Sequence, residues 1–459
     1  MKLSIALTIA GAAALSFAGG AGAAPSAEEL KQLGSSLTLW GAEKAGNKEG
    51  TIPEYTGGVA NPPKYNYNTG VPLDPYADDK VSFYIDAKNM DKYLDKLTPS
   101  IQTMMKKYPT FRIAVYPTHR SASYPQSVLD DTLKNATMNR CSIKQEGNEL
   151  DVSKGCRGGF PFPIPKNGYE ALWNHNASYT GVGRIQRATG FYVKPSGEYI
   201  AVNDLVTYID SGLYDTNNKV PYRHYLIRSE YYGPTRVTGT VNLYYDTLDN
   251  TRKSWGYAPS TRRTRLAPDF AADAPISTAG GALYYDMSNM FSGSMDRFDF
   301  KLVGKKEMYI PYNDYKRKLG PAAAKGCTPS DGLFMIGHLN PECMRFELHR
   351  VWVIEGTLKS GKRHVLGKRV LHLDEDSWYA GIGDTYDAKG KIFHSQWYAL
   401  SPDYVKQAPV SNSYNLTHDL NSGNYYYPIV LKAWAVDKTP PDSWFSPDTL
   451  SSFMLVEPK

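Results

Sequence analysis

The sequence predicts a mainly β protein of the α+β class, built as a large antiparallel sheet, strongly curved or partly closed, with a few helices. Three observations predict it. Short segments after residue 222 alternate apolar and polar side chains, and the linkers between them carry Gly, Pro, Asp and Asn. No ten-residue helical pattern interrupts the middle of this series, as the crossovers of a parallel sheet would require.

The elements follow in chain order. Lys2, the apolar run Leu3 to Phe17 and the small residues Ala21-Gly22-Ala23 have the order of a secretory signal peptide cleaved before Ala24. That run is shorter than the roughly 20 apolar residues of a spanning helix. The expectation is therefore a soluble protein that works outside the cytoplasm. Residues 1–23 are assigned to the signal, 24–80 to an irregular arm and 81–459 to one antiparallel β domain with helical insertions. The arm is rich in Gly, Pro, Asn and Tyr and shows no period. Val81, Phe83 and Ile85 alternate as a short strand. Met90, Tyr93, Leu94, Leu97, Ile101, Met104 and Met105 recur at helical spacing, and Thr98-Pro99 caps the second of two short helices. Their Met-rich face reads as core.

Val237, Val241, Leu243 and Tyr245 then alternate with Arg236, Thr240, Asn242 and Tyr244, the pattern of a half-buried strand. Similar segments cover residues 253–258, 262–267, 298–303, 307–310, 345–358, 364–373 and 391–398. Hairpin signals lie at Thr357 to Lys362 and Tyr386 to Gly390. Ser446-Pro447 opens a short terminal helix.

Charged residues make up 21% of the chain, both signs are interspersed, and no basic run points to nucleic acid. The excess of 35 Tyr over 15 Phe suits strands whose rings pack while their hydroxyls stay wet. The four cysteines fall into the local pairs Cys141–Cys156 and Cys327–Cys343. In an oxidising compartment each closes a short loop that contributes roughly 3 kcal/mol.

No G-x-S-x-G, H-E-x-x-H, P-loop or dinucleotide fingerprint is present. The expectation is a protein that is not an enzyme, with no cofactor and no metal. On the strand through residues 345–358 one face reads Phe346, Leu348, Arg350, Trp352 and Ile354. A lone Arg on an apolar face needs a carboxylate. Of Asp374-Glu375-Asp376 only Asp374 and Asp376 share a side of a strand. The expected structural ion pair is therefore Arg350 with Asp374 or Asp376. Glu347, His349 and His364 read as solvated residues of an outer face. Arg262, Arg263 and Arg265 follow Trp255 and Tyr257, and read as cross-sheet ion pairs with anion binding as the alternative. Gly158 to Pro165 is an extended aromatic segment, a plug or a partner contact.

Several runs also carry a resemblance. They are Leu37-Thr38 with Gly41 to Asn47 and Gly50 to Pro53; Gly159 to Pro165 with Trp173-Asn174-His175; and Trp255-Gly256-Tyr257 with Arg262 to Arg265 and Ala267-Pro268. Pro311-Tyr312-Asn313, Arg350 to Val353, Arg363-His364, Lys368-Arg369 and Asp374 to Trp378 complete them. Over nearly the whole mature chain this resembles the bacterial family known as domain of unknown function 1329, which is similar in turn to the periplasmic lipoprotein carriers LolA and LolB. The resemblance implies a LolA/LolB-like half-barrel closed by helices around an apolar cavity for acyl chains. It also implies a setting near RND-type exporters and outer-membrane proteins, and it supplies no catalytic residues. The chain is much longer than those carriers and has no Cys at the cleavage site for a lipid anchor.

Together these readings give a periplasmic carrier that shields a lipid or other hydrophobic molecule, with Val237, Val241, Leu243, Trp255, Tyr257, Phe300, Leu348 and Trp352 as the candidate lining. The rivals are a secreted hydrolase or glycan-acting enzyme and an outer-membrane β-barrel. Against the barrel, charged residues occupy both faces of several strands.

Overall fold

A computed structural model describes residues 24–64, 73–215, 223–267, 272–316, 324–410, 414–436 and 438–455. The expected signal peptide lies outside the described residues. The described elements begin with α1 (Ala27–Leu30), β1 (Phe83–Ile85), α2 (Pro99–Lys107), β2 (Ile113–Val115) and α3 (Gln126–Thr137). A small hairpin of β3 (Ser142–Lys144) and β4 (Glu149–Asp151) precedes α4 (Gly168–Asn176). Six strands follow: β5 (Gly183–Val193), β6 (Tyr199–Ser211), β7 (Arg223–Gly233), β8 (Val241–Thr247), β9 (Arg252–Ala258) and β10 (Arg263–Ala267). After them come β11 (Phe298–Pro311), a second small hairpin of β12 (Phe334–Met335) and β13 (His338–Leu339), and β14 (Phe346–Leu358). The last strands are β15 (Leu366–Asp374), β16 (Ala380–Asp387), β17 (Ile392–Ala399), β18 (Tyr414–Asp419) and β19 (Tyr425–Val436).

Fifteen of these strands form one sheet in the order β1-β2-β14-β15-β16-β17-β18-β19-β5-β6-β7-β8-β9-β10, with β11 also paired to β14. Every pairing is antiparallel except the single Phe346–Val115 pair of β14 with β2. The path ends at β10 without returning to its start, so the sheet is open, not a closed barrel. The two hairpin signals coincide with the β14–β15 and β16–β17 turns. The segments expected at 298–303 and 307–310 are one strand, β11, interrupted by a bulge between Leu302 and Gly304. The strand expected from Arg236 starts later. Val237 N–H donates to Pro234 O at 2.9 Å and Gly239 N–H to Tyr231 O at 2.8 Å, so residues 234–240 turn from β7 into β8.

Thr98 caps α2, its hydroxyl accepting from Ile101 N–H at 3.4 Å. Leu97, Ile101, Met104 and Met105 are buried in the main core, as the Met-rich pattern predicts. Only two 3₁₀ turns, Met90–Lys92 and Leu94–Lys96, stand where the first short helix is expected. The arm packs into the same core through Trp40, Ala42 and Ile52, and Trp378 Nε1–H donates to Trp40 O at 2.8 Å. Gly41 makes the fit possible. It holds φ 93°, and a Cβ there would lie 1.8 Å from Pro163 O.

The aromatic segment around Phe160 is an internal plug. Phe160 is fully buried, its N–H donates to Thr132 Oγ1 on α3 at 3.0 Å, and Phe162 N–H donates to Asn174 Oδ1 on α4 at 3.0 Å. Both disulfides, Cys141–Cys156 and Cys327–Cys343, join the expected partners. Among the described residues no helix is long and apolar enough to cross a membrane.

Candidate functional site: a lidded cavity on one face of the sheet

Residues that pair across antiparallel strands share a face. One such row runs Arg184–Ile209–Ile227–Tyr244, and its neighbour runs Gln186–Thr207–Ser229. Both rows line a cavity of about 330 Å³. Its cover comes from residues 276–283, the loop 288–293 and the end of α4 at His175 and Asn176, with Tyr379 and Tyr426 closing the side toward β16 and β19. Leu205, Ile209, Ile227, Ile276 and Leu283 give it apolar surface, while Asn203, Thr207, Ser229 and several Tyr give it polar surface. The wall is amphiphilic.

None of the eight residues expected to line a cavity lines this one. Val241, Leu243 and Tyr257 are buried on the opposite face with Leu226, Phe445 and Leu450, and Trp255 packs at the margin of that cluster. Val237 is buried in the turn before β8. Phe300 and Leu348 belong to the main core, and Trp352 packs against it. The alternation in β8 is real, but its apolar side is the outer face. It is covered by the 3₁₀ segments Asp442–Phe445 and Pro447–Leu455. Arg228 pins that cover, donating to Trp444 O at 2.6 Å and Thr449 Oγ1 at 3.0 Å, and Tyr245 OH donates to Phe445 O.

The ionisable groups inside the cavity are mostly satisfied. Arg252 binds both oxygens of Asp246, at 2.5 and 2.6 Å. His175 accepts from Ala380 N–H through Nδ1 at 3.3 Å, which leaves Nε2–H to donate to Asn289 O at 2.9 Å. Burial lowers the His175 pKa to about 4, and that of His224 likewise to about 4, so both rings are neutral at pH 7.

A second concentration of polar groups lies where the arm meets β14 and the β15–β16 turn. Arg350 pairs with Glu375, not with Asp374 or Asp376, at 3.0 Å, and also donates to Ala45 O at 2.7 Å. The expectation fails because β15 ends at Asp374. Residues 375–377 form a turn closed by Trp378 N–H to Asp374 O at 2.8 Å, so strand alternation does not apply to them. Glu375 also meets Lys305 at 2.9 Å and Arg120 at 3.3 Å. Asp376 takes a bidentate pair from Arg120, at 2.9 and 2.6 Å. Glu43 of the arm joins Lys305 at 2.9 Å. Sequence reasoning misses Arg120, Lys305 and Glu43. The available signal is three adjacent acids, which need more than one cation.

Glu347 and His349 are fully buried, not solvated. Glu347 accepts from Arg345 at 2.6 Å and from Asn313 at 3.0 Å. The His364 side chain is also out of water, 3.1 Å from Asp286, which Arg369 meets at 2.6 Å. Arg262, Arg263 and Arg265 are exposed along the edge strand β10 and its preceding turn. One ligand atom each from His349, Asp374 and Asp376 lies within 4.8 Å of the others, a spacing that suits a metal ion. Most of their lone pairs are used otherwise, although Asp374 Oδ1 has only the His349 ring, at 3.4 Å. Arg120 holds both oxygens of Asp376, Ser377 donates twice to Asp374 Oδ2, and His349 lies between two carboxylates.

The His349 ring stands 3.2 Å from Glu347 and 3.4 Å from Asp374. Burial opposes its charged form, but the bonds to Asp374 and Glu347 outweigh burial and push its pKa up from 6.5 to about 9. A group raised on folding stabilises fully below its unfolded value and loses that contribution as pH rises through the folded one. The shift corresponds to roughly 3 kcal/mol. Between pH 6.5 and 9, wild-type unfolding free energy should fall by about that amount from this site, and His349→Gln should flatten the fall. Urea titrations at several pH values measure it, and equal slopes for the two proteins contradict it.

The sequence profile of a family described as protein of unknown function DUF1329 matches residues 84–451. An uncharacterised protein of Pseudomonas aeruginosa is 38% identical over 414 residues, which are 88% of this chain and 87% of that protein. Two solved structures are also similar. A DUF1329 family protein from Desulfovibrio piger aligns at 16% identity and TM-score 0.43, over 62% of this chain and 97% of its own. A LolA superfamily protein from Nitrosomonas europaea aligns at 11% identity and TM-score 0.37, over 62% of this chain and 99% of its own.

Proposed function

The chain belongs to the DUF1329 family, and we propose that it is a binding protein that carries one small amphiphilic or lipid molecule in the cavity between β5–β9 and their cover, without covalent chemistry. The cavity itself carries the reading. Its volume of about 330 Å³ stands at the lower end of the range of small-molecule sites, roughly 300–1,000 Å³. Its apolar rows accept a hydrocarbon, and its hydroxyls, amides and Tyr rings accept a polar end. The signal-like N-terminal order and the two disulfides support a periplasmic place of work. We extend the proposal to delivery at the cell envelope, peripheral to the outer membrane and beside an RND-type exporter.

Thr207 lies mid-row on β6, its hydroxyl 3.2 Å from Ser229 Oγ, and its side chain faces the cavity. Thr207→Phe should fill the space and weaken binding by roughly tenfold or more, the equivalent of about 1.4 kcal/mol. Stability should change little, because the new ring enters open volume. A fluorescent fatty acid titrated into both purified proteins measures this. Saturable binding lost in the variant supports the reading, and no saturable binding by the wild type contradicts it.

A further inference from the structure

Six arginines are buried among the described residues: Arg120, Arg184, Arg228, Arg345, Arg350 and Arg369. Five have a carboxylate at hydrogen-bonding or ion-pairing distance. Arg120 has Asp376, Arg228 has Glu230, Arg345 has Glu347, Arg350 has Glu375 and Arg369 has Asp286. Arg184 has none among the described residues. It is only 6% exposed, and its one hydrogen bond there runs from a terminal nitrogen to Val410 O at 3.0 Å. Its Nε–H is buried without a partner. Arg184 is also the one of the six that lines the cavity. The acid on the same wall, Asp246, is already held on both oxygens by Arg252.

A buried guanidinium with no counter-charge is costly, and a folded protein keeps one where something else supplies the charge. The geometry points to the cargo. We propose that the molecule held in the cavity carries an anionic head, a carboxylate or a phosphate, that pairs with Arg184, while its chain lies along the Ile209 and Ile227 row. The inference rests on the binding reading above and deepens it from an amphiphile to an anionic amphiphile. A planar guanidinium suits both oxyanions, since it presents two parallel donors. The Tyr225 and Tyr379 rings, which line the cavity beside it, wall that end of the site.

The test is calorimetric titration of the whole protein with dodecanoate, dodecyl phosphate, 1-dodecanol and inorganic phosphate. The two anionic amphiphiles should bind roughly tenfold or more tighter than the alcohol, the scale of one charge-assisted hydrogen bond. Arg184→Gln should erase that preference and leave alcohol binding in place, and Arg184→Lys should retain part of it. Without ligand, Arg184→Gln should melt no lower than the wild type, because it removes an uncompensated charge. Equal affinity for acid and alcohol, or a preference that survives Arg184→Gln, overturns the inference while the carrier reading stands. A ligand-free Arg184→Gln that melts well below the wild type also overturns it, by making the guanidinium a structural piece. Inorganic phosphate binding as tightly as dodecyl phosphate overturns the amphiphile in favour of a free oxyanion. Failure of all three twelve-carbon compounds to bind sinks the carrier reading itself.

Discussion

Glu375→Gln will destabilise the protein by about 3–5 kcal/mol, and Arg350→Met by clearly less. The asymmetry follows from where the charges meet. Glu375 is 2% exposed at its side chain and faces Arg350, Arg120 and Lys305 together, at 3.0, 3.3 and 2.9 Å. Neutralising it strands positive charge that has left water, whereas Arg350→Met removes one of three cations and leaves an apolar side chain in its place. Glu375 then keeps Arg120 and Lys305. Urea denaturation midpoints at constant m-value measure both variants. Equal losses would mean that the cluster is a set of independent pairs and not one shared site.

The second large effect is expected at Phe445→Ala, at about 3–5 kcal/mol. Phe445 is fully buried against Leu226, Val241, Leu243 and Tyr257, and the backbone around it is tied to Tyr245 and Arg228. Its loss should loosen residues 442–455 and open the outer apolar face, so binding of a dye such as ANS should rise with the loss of stability. A small cost with unchanged dye binding would contradict the assignment of that segment as a cover. Cargo binding should survive, since the cavity lies on the other face of the same strands.

Much of the frame was legible from local chemistry. Turn residues locate the hairpins at Thr357 to Lys362 and Tyr386 to Gly390, Thr98-Pro99 marks the start of α2, and proximity in sequence pairs the four cysteines. Three of the five strands that build the cavity are ones that pattern reading passes over. β5, β6 and β7 carry Arg184, Gln186, Asn203, Thr207 and Ser229 toward the cavity, and Asp204, Arg228 and Glu230 toward the other side. With polar groups on both faces, the period of two in hydropathy disappears.

β8 shows the complementary failure. Alternation says that its two faces differ, but not which of them an element two hundred residues away will cover. Residues 442–455 take the apolar face, and the cavity is left with the polar one. At Asp374-Glu375-Asp376 the reading fails for a third reason, because periodicity ends where the strand does. The one local clue to the site, an Arg at position 184 on a sheet face, gains meaning only once the other five buried arginines are seen to be paired.

A binding protein should leave its own cell with a molecule in place. Native mass spectrometry of the protein isolated from its own cells, without detergent, tests that most directly. One small amphiphile per chain is expected, absent from Thr207→Phe purified in the same way. A wild-type protein that emerges bare, and that still takes up no amphiphile when one is offered in excess, would contradict it.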